Sequence, residues 1–102
     1  MNSKKAILLP KEREILAELG ENLKLARLRR RITTTQLAER ANIARSTLWH
    51  VEKGSEHISI GIYLKVLSIL GMSNDLKVLA ANDVLGRKLQ DAKLKTPKRI
   101  KK

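Results

Sequence analysis

Several side chains in the stretch ARSTLWHVEKG have types and spacing that suit the recognition of nucleic-acid bases. At helical spacing, the positions that share its polar face are Arg45, Ser46, Trp49 and His50. A guanidinium such as that of Arg45 can donate two hydrogen bonds to a guanine, which discriminates against other bases by about 1–3 kcal/mol. The opposite face carries Leu48, Val51 and the methyl group of Thr47, which should point to a core. The pattern therefore favours a base-reading surface over a polar face that only meets solvent.

Trp49 is the least usual member of this surface, because it is the single tryptophan and one of only two aromatic residues in the chain. An exposed indole could press on thymine methyl groups or on sugars. It could also pack beneath another chain or the N-terminal arm, or belong to the core. Since Leu48 and Val51 already supply the core side of the helix, position 49 falls on the outer face and we predict a contact with DNA.

The residue inventory argues against catalysis. His50 and His57 are the only histidines, and neither has a carboxylate and a nucleophile at motif spacing. The chain has no cysteine, no phosphate-binding glycine loop and no cluster of metal-ligand residues. We therefore predict a protein that is not an enzyme and that uses neither a cofactor nor a metal.

The charge of the chain indicates a polyanionic partner. Among its 102 residues, 22 are Lys or Arg and 10 are Asp or Glu, so the formal net charge is +12. Each basic side chain that neutralises a phosphate releases a counterion, which favours a nucleic acid as the partner. RNA is less favoured than duplex DNA, because single-strand readers rely on stacking aromatics. The run AILL is too short for a signal peptide, and no run reaches the roughly 20 apolar residues of a membrane span.

The elements that position this surface should all be helices, since few segments alternate with the period of two that indicates strands. A helix that starts at Pro10 either continues through Gly20 or breaks there. Thr33 and Gln36 form a capping-box pattern before a short helix, and Asn42 suits the turn after it. The predicted bundle has five helices, at about 19–31, 34–41, 44–53, from Ser59 to Leu70, and 75–81.

The second and third of these helices, joined by about three residues and followed by E-x-G, form the pattern of a helix-turn-helix. The stretch LGENLKLARLRRRITTTQLAERANIARSTLWHVEKG, continued by SIGIYLKVLSILGM, resembles the Xre or Cro-like, phage-repressor type of helix-turn-helix family. The matching positions are Leu37, Ala38, Ser46, Thr47, Leu48, Glu52, Gly54 and the Leu–Gly end of the fourth helix. The resemblance implies an all-α domain that binds an operator in double-stranded DNA as a homodimer.

The resemblance also implies roles for individual residues. The third helix would enter the major groove and read base edges with Arg45, Ser46, Trp49 and His50. The candidates for contacts to the DNA backbone are Thr34, Thr35, Gln36, Thr47, Lys53, Ser55 and His57. Arg27 and Glu52 would form an internal salt bridge that orients the recognition helix. A regulator of this type is expected in the bacterial cytoplasm, associated with the nucleoid.

Three regions follow from this interpretation. Residues 1–18 hold an N-terminal arm and a short helix, residues 19–79 the helix-turn-helix domain, and residues 80–102 a basic C-terminal tail. Within the tail, LGRKLQDAKL is predicted as a short amphipathic piece that precedes a disordered basic end. The predicted core face of the fourth helix comprises Ile60, Tyr63, Leu64, Leu67 and Leu70.

Four residues depart from the family pattern. Thr34 stands where a glutamine usually holds a phosphate. Ala44 occupies a position where serine or threonine would cap the third helix, which should cost about 1 kcal/mol. Arg31 replaces a glycine of the first turn, and Glu56 places a carboxylate in a loop that often approaches phosphates. Affinity for DNA should therefore depend on dimerisation or on partners as well as on the helix-turn-helix.

Leu25 and Leu28 form an apolar strip on the first bundle helix, roughly opposite Leu19. Family members usually carry polar residues on that face. Three occupants could cover the strip: residues 7–16, a second copy in a dimer, or another protein. Cover by residues 7–16 is the simplest interpretation.

The stretch DVLGRKLQDAKLKTPKR, residues 83–99, resembles the C-terminal segment of small Xre-type regulators encoded beside HipA-like kinase toxins. This resemblance implies an antitoxin that represses its own operon and binds the toxin. An alternative within this interpretation is an antitoxin whose main role is neutralisation, with DNA binding secondary. The simpler interpretation is a basic tail that adds nonspecific affinity for DNA.

Overall fold

The structure, a computed structural model, describes residues 7–94. Over this range the chain forms six α-helices and no β-strand, as expected for an all-α protein. The helices are α1 (Pro10–Arg29), α2 (Thr34–Ala41), α3 (Arg45–Glu52), α4 (Ile60–Ile69), α5 (Ser73–Lys77) and α6 (Val84–Leu94). The N-terminal arm up to residue 6 and the basic end from residue 95 lie outside the described residues.

The first helix takes the continuous form, one of the two that the sequence allowed. It begins at Pro10, where the side chain of Glu12 accepts a hydrogen bond from the backbone N–H of Leu9 at 2.9 Å. It then runs through Gly20 without a break, so the predicted separate short helix before residue 19 is not formed.

This continuity also overturns one interpretation of the apolar strip on α1. Residues 10–16 belong to the same helix as Leu25 and Leu28, and these two leucines remain 39% and 50% exposed. Of the three possible covers, the N-terminal part of α1 is therefore not the one, which leaves a second copy or another protein.

Local signals define the two short helices and the turn between them. The side chain of Thr33 accepts a hydrogen bond from the backbone N–H of Gln36 at 3.0 Å, and the Gln36 side chain accepts one from the N–H of Thr33 at 2.9 Å. This reciprocal pair is the predicted capping box. Asn42 ends α2 in the left-handed conformation, with φ of 57°. The chain reverses there and α3 starts two residues after Ile43.

The core lies among the first four helices and includes Leu70 at the end of α4. Its buried apolar residues are Leu23, Ala26, Leu37, Ala38, Leu48, Val51, Tyr63, Val66, Leu67 and Leu70. The predicted face of α4 was correct for Tyr63, Leu67 and Leu70 but wrong for Ile60 and Leu64, which are 66% and 41% exposed. Val66 is fully buried instead, because the buried stripe is centred on residues 63, 66, 67 and 70. Ile60, the first residue of α4, extends beyond the core.

The C-terminal helices differ from the expected bounds. α5 starts and ends earlier than the predicted 75–81 helix, and residues 78–80 form a turn in which Ala80 has φ of 67°. The side chain of Asp83 then accepts a hydrogen bond from the backbone N–H of Gly86 at 2.9 Å, which caps the start of α6. From Val84 to Lys93 no residue of α6 is buried. The predicted amphipathic piece of the tail is therefore helical but does not pack into the core.

Candidate nucleic-acid interface

Helix α3 has an inner face that is buried and an outer face that is exposed. Leu48 and Val51 have no solvent exposure and lie in the core, as predicted. Thr47 is half-buried at the edge of this inner face. The four base-contact candidates, Arg45, Ser46, Trp49 and His50, are all exposed. The helix is therefore packed on one side and presents all four candidates on the other.

Trp49 is 57% exposed, so it is not a core residue. The ammonium group of Lys53 lies over its indole ring, 5.2 Å from the ring centroid, and His50 meets the ring edge-on with centroids 5.0 Å apart. A cation over an exposed indole stabilises the arrangement by about 0.5–1 kcal/mol. These contacts orient the indole while leaving more than half of it open to a partner.

Arg45 and Ser46 occupy the first turn of α3, and their side chains have no hydrogen-bond or ion-pair partner within residues 7–94. Ala44 supplies no side-chain cap, as the sequence predicted, so the first N–H groups of α3 also lack a side-chain acceptor. The start of this helix thus offers hydrogen-bond donors that the protein itself does not use.

The candidates for contacts to the DNA backbone lie in three places. Thr34, Thr35 and Gln36 form the exposed first turn of α2. The capping contact uses the side-chain oxygen of Gln36 and leaves its amide NH2 group to donate. Thr47 and Lys53 flank the outer face of α3, the first half-buried and the second exposed. Ser55 and His57 lie in the following loop, where the Ser55 side chain accepts a hydrogen bond from the His57 N–H at 3.0 Å.

Arg27 and Glu52 form the internal salt bridge that the sequence predicted. The Arg27 Nε lies 2.7 Å from Glu52 Oε2 and its Nη2 lies 3.1 Å from Oε1, so the pair is bidentate. Their side chains are only 8% and 9% exposed. Arg27 also donates to the carbonyl of Ile32 at 3.1 Å. One guanidinium therefore ties the end of α3 to α1 and to the turn before α2.

The geometry of α2, the turn and α3 agrees with the comparison to known families. A family model described as "Helix-turn-helix domain" matches residues 18–79, which is more than half of the chain. The chain belongs to this helix-turn-helix family. No curated protein matches it at a significant level. Within residues 7–94, no helix is long and apolar enough to cross a membrane, and no group of His, Asp or Glu is placed to hold a metal ion.

A contact between two glycines of this helix-turn-helix domain was not evident from the sequence. A Cβ on Gly20 would lie 2.5 Å from the backbone N of Gly54 and 2.7 Å from the carbonyl oxygen of Glu52. Gly54, with φ of 71°, faces the backbone of Leu16 even more closely. The middle of α1 therefore touches the end of α3 backbone to backbone. The sequence did offer a signal for this contact, namely Gly20 inside a predicted helical stretch. A break in the helix would account for the same glycine equally well.

The loop that follows α3 in the helix-turn-helix domain is held by two side-chain contacts. The hydroxyl of Tyr63 donates to the carbonyl of Ser55 at 2.7 Å, and burial of this ring raises the pKa of the phenol above its usual value. Arg13 Nε lies 3.2 Å from Glu56 Oε1. The positive charge of Arg13 partly neutralises the Glu56 carboxylate, whose negative charge is unfavourable near phosphates. The Tyr63 contact could have been expected from the sequence, because the hydroxyl of a buried tyrosine needs a hydrogen-bond partner.

Proposed function

We propose that the protein is a sequence-specific regulator of transcription that binds double-stranded DNA and acts as a repressor, of the Xre or Cro-like type. One observation carries the proposal: α3 is packed into the core on one face and exposes Arg45, Ser46, Trp49 and His50 on the other. In the major groove these side chains would meet base edges, with the early residues of the helix deepest. The family match supports DNA binding in general.

Electrostatics support the same function. The chain carries a net charge of +12, and Lys53, His57 and the first turn of α2 offer donors for phosphates on both sides of α3. Contacts of this kind supply nonspecific affinity and set the register of the protein on the duplex. Base contacts from α3 then supply sequence preference.

We further propose that the operator is bound by a homodimer, with one recognition helix for each half-site. A symmetric dimer on a repeated half-site roughly doubles the number of base contacts that α3 can make. The protein is not an enzyme and uses no cofactor in this proposal. It would act in the bacterial cytoplasm, in association with the nucleoid.

A second candidate function is that of an antitoxin that binds and neutralises a HipA-like kinase toxin. It is favoured by the apolar strip of Leu25 and Leu28, which residues 7–94 leave partly exposed on α1. Repression of the protein's own operon would accompany neutralisation. Co-expression with the product of a neighbouring kinase-like gene tests this candidate: a stable complex that Leu28→Glu disrupts would support it, and two separate proteins would refute it.

The DNA-binding proposal is tested by selecting bound sequences from random duplexes and measuring the spacing of any half-sites. Arg45→Ala should then reduce the preference for the selected site by about 1–3 kcal/mol while nonspecific, salt-dependent binding remains. If Arg45→Ala retains the preference of the wild type, α3 does not read the bases as proposed.

Deletion of residues 95–102, which lie outside the described residues, is the matched control for that experiment. It removes five basic residues and no carboxylate side chain. The deletion should flatten the dependence of affinity on salt by up to about 0.9 per lost phosphate contact and leave the sequence preference unchanged. An unchanged salt dependence would mean that the basic end does not touch DNA.

A further inference from the structure

An open apolar groove lies beside the core and has no occupant from the described chain. Its volume is about 570 Å³, and its walls come from α1 and Leu8 before it, the loop before α4, α4 itself, and the segment 72–79 that contains α5. The lining includes Leu16, Ile58, Ile60, Met72 and Leu79. None of the lining residues belongs to α6. A mostly apolar cavity of this volume falls in the size range of binding pockets, about 300–1,000 Å³.

The charge of the groove is unusual for this protein. Although 22 of the 102 residues are Lys or Arg, the groove lining contains none of them. It contains two carboxylates, Glu56 and Asp75. Glu56 is paired with Arg13, whereas the Asp75 side chain has no ion-pair partner within residues 7–94. The groove therefore suits an apolar occupant that carries positive charge.

The helix α6 has these properties. Leu85, Leu89 and Ala92 share one face at spacings of four and three residues, and both leucines are at least 60% exposed. Arg87, Lys88 and Lys93 outnumber the single carboxylate, Asp91. A helix of 11 residues is too short to be stable in water by its own propensity, so its apolar face needs a partner.

We propose that α6 of one copy docks in the groove of a second copy, and that the exchange is reciprocal. Each copy then contributes one helix and one groove, which produces a closed dimer with twofold symmetry. The apolar face of α6 would cover the apolar walls, and its basic residues would lie near Asp75. This inference rests on the homodimer of the proposed function and assigns its interface, but it does not depend on operator binding.

The connection to α6 disfavours docking within one chain. Leu79 lines the groove, and only residues 80–83 separate it from α6. Two contacts hold this connection in shape: Asp83 caps α6 through the Gly86 N–H, and Arg87 Nη2 donates to the carbonyl of Ala81 at 3.0 Å. With the connection held in this way, α6 stays outside its own groove and is free to enter that of a neighbour.

The absence of cysteine from the chain allows a direct test by cross-linking. Leu89→Cys places a thiol on α6, and Ile60→Cys places one at the groove, where residue 60 is 66% exposed. The two single variants, one of them tagged to change its size, are mixed and treated with a short bis-maleimide. We expect a cross-link between tagged and untagged chains. Glu39→Cys on α2, which is exposed and not part of the groove lining, replaces Ile60→Cys as the control and should give none.

A variant with both Leu89→Cys and Ile60→Cys distinguishes the two possible sources of the helix. A product with the mass of one chain, linked internally at low protein concentration, would mean that α6 folds onto its own groove and would overturn the proposal. The absence of any link between positions 89 and 60 in the mixed sample would overturn it as well. A link between two chains in both samples supports it.

A second experiment measures mass by light scattering over a range of concentrations without DNA. Leu89→Asp should raise the dissociation constant of the dimer by roughly tenfold or more, because docking would bury a carboxylate without a partner. Gln90→Asp adds the same charge about 100° around α6 from Leu89, outside the apolar face, and should leave the dimer intact. Both variants should keep a cooperative unfolding transition, since α6 contributes nothing to the core, but the loss of the dimer should lower the transition temperature of Leu89→Asp.

Two results would overturn the docking: a wild-type protein that stays monomeric, or a Leu89→Asp variant that dimerises like the wild type. Neither result would bear on base reading by α3. Conversely, a dimer that behaves as expected but selects no operator would refute the proposed function and leave the docking in place.

Discussion

The two faces of α3 are built in opposite ways. On the inner face, Leu48 and Val51 have no solvent exposure, and Glu52 is held by two hydrogen bonds from Arg27. On the outer face, Arg45 and Ser46 have no partner within residues 7–94, and Trp49 is 57% exposed. Almost every group on one side of this eight-residue helix is buried or hydrogen-bonded, whereas few groups on the other side have a partner.

In the proposed function, the inner face of α3 sets the orientation of the helix and the outer face reads the bases. The inner contacts determine the angle and depth at which α3 leaves the core, and the outer side chains can then change without affecting the fold. Substitutions on the inner face should therefore lower stability, whereas substitutions on the outer face should lower affinity for DNA and leave stability within about 0.5 kcal/mol.

The largest expected effect comes from removal of one partner of the buried ion pair. Glu52→Ala leaves the Arg27 guanidinium with 8% exposure and no counter-charge. The free energy of unfolding, measured by urea denaturation, should fall by about 3–5 kcal/mol. The double variant Arg27→Met/Glu52→Leu removes both charges and should recover most of this loss, apart from about 1 kcal/mol for the carbonyl of Ile32, which loses its donor. If both variants lose the same stability, the unpaired charge is not the cause.

The next effect concerns the backbone contact between α1 and the end of α3. Alanine normally stabilises a helix interior by about 1 kcal/mol relative to glycine. At Gly20 the added Cβ would lie 2.5 Å from a backbone nitrogen, so Gly20→Ala should instead destabilise the domain by about 1–3 kcal/mol. Gly61→Ala in α4 is the control, because its Cβ would come no closer than 3.8 Å to the Ser59 hydroxyl and the substitution should stabilise the domain. Thermal unfolding of the two variants measures both effects, and a stabilised Gly20→Ala would contradict the close approach.

The smallest effect belongs to the outer face and is seen only with DNA. Trp49→Ala should leave the unfolding free energy nearly unchanged, since more than half of the residue is exposed. If the indole meets a thymine methyl group, replacement of that thymine by uracil in the selected operator should weaken wild-type binding by about 0.8 kcal/mol, or roughly fourfold. The same replacement should not affect Trp49→Ala. Trp49 fluorescence should also be quenched by operator DNA, and a response only to a protein partner would place the indole in a protein interface.

Predictions from the sequence succeeded where the signal was local. The capping box of Thr33 and Gln36, the left-handed Asn42 and the missing cap at Ala44 depend on residues within a few positions of one another. The inner and outer faces of α3 follow from the periodicity of a single helix. The Arg27–Glu52 pair lies 25 residues apart in sequence, and only the family resemblance made it predictable.

Predictions failed where the outcome depends on how helices meet. Periodicity assigned Ile60 to the core, but this residue is 66% exposed and lines the open groove. Of the three possible covers for Leu25 and Leu28, residues 7–16 do not serve, because residues 10–16 continue the same helix. In both cases the residues are helical as predicted, and the missing information was where the other elements lie.

The amino-acid sequence alone specifies the helical class, the capped short helices, the identity of the side chains on the outer face of α3 and the basic charge of the chain. These properties depend on local backbone preferences and on composition, which need no partner in space. The packing of the helices specifies that Gly20 joins α1 to α3 rather than interrupting α1, and that an acidic apolar groove lies open while a basic apolar helix remains outside it. Close contact and burial arise between elements distant in sequence, so no local pattern specifies them.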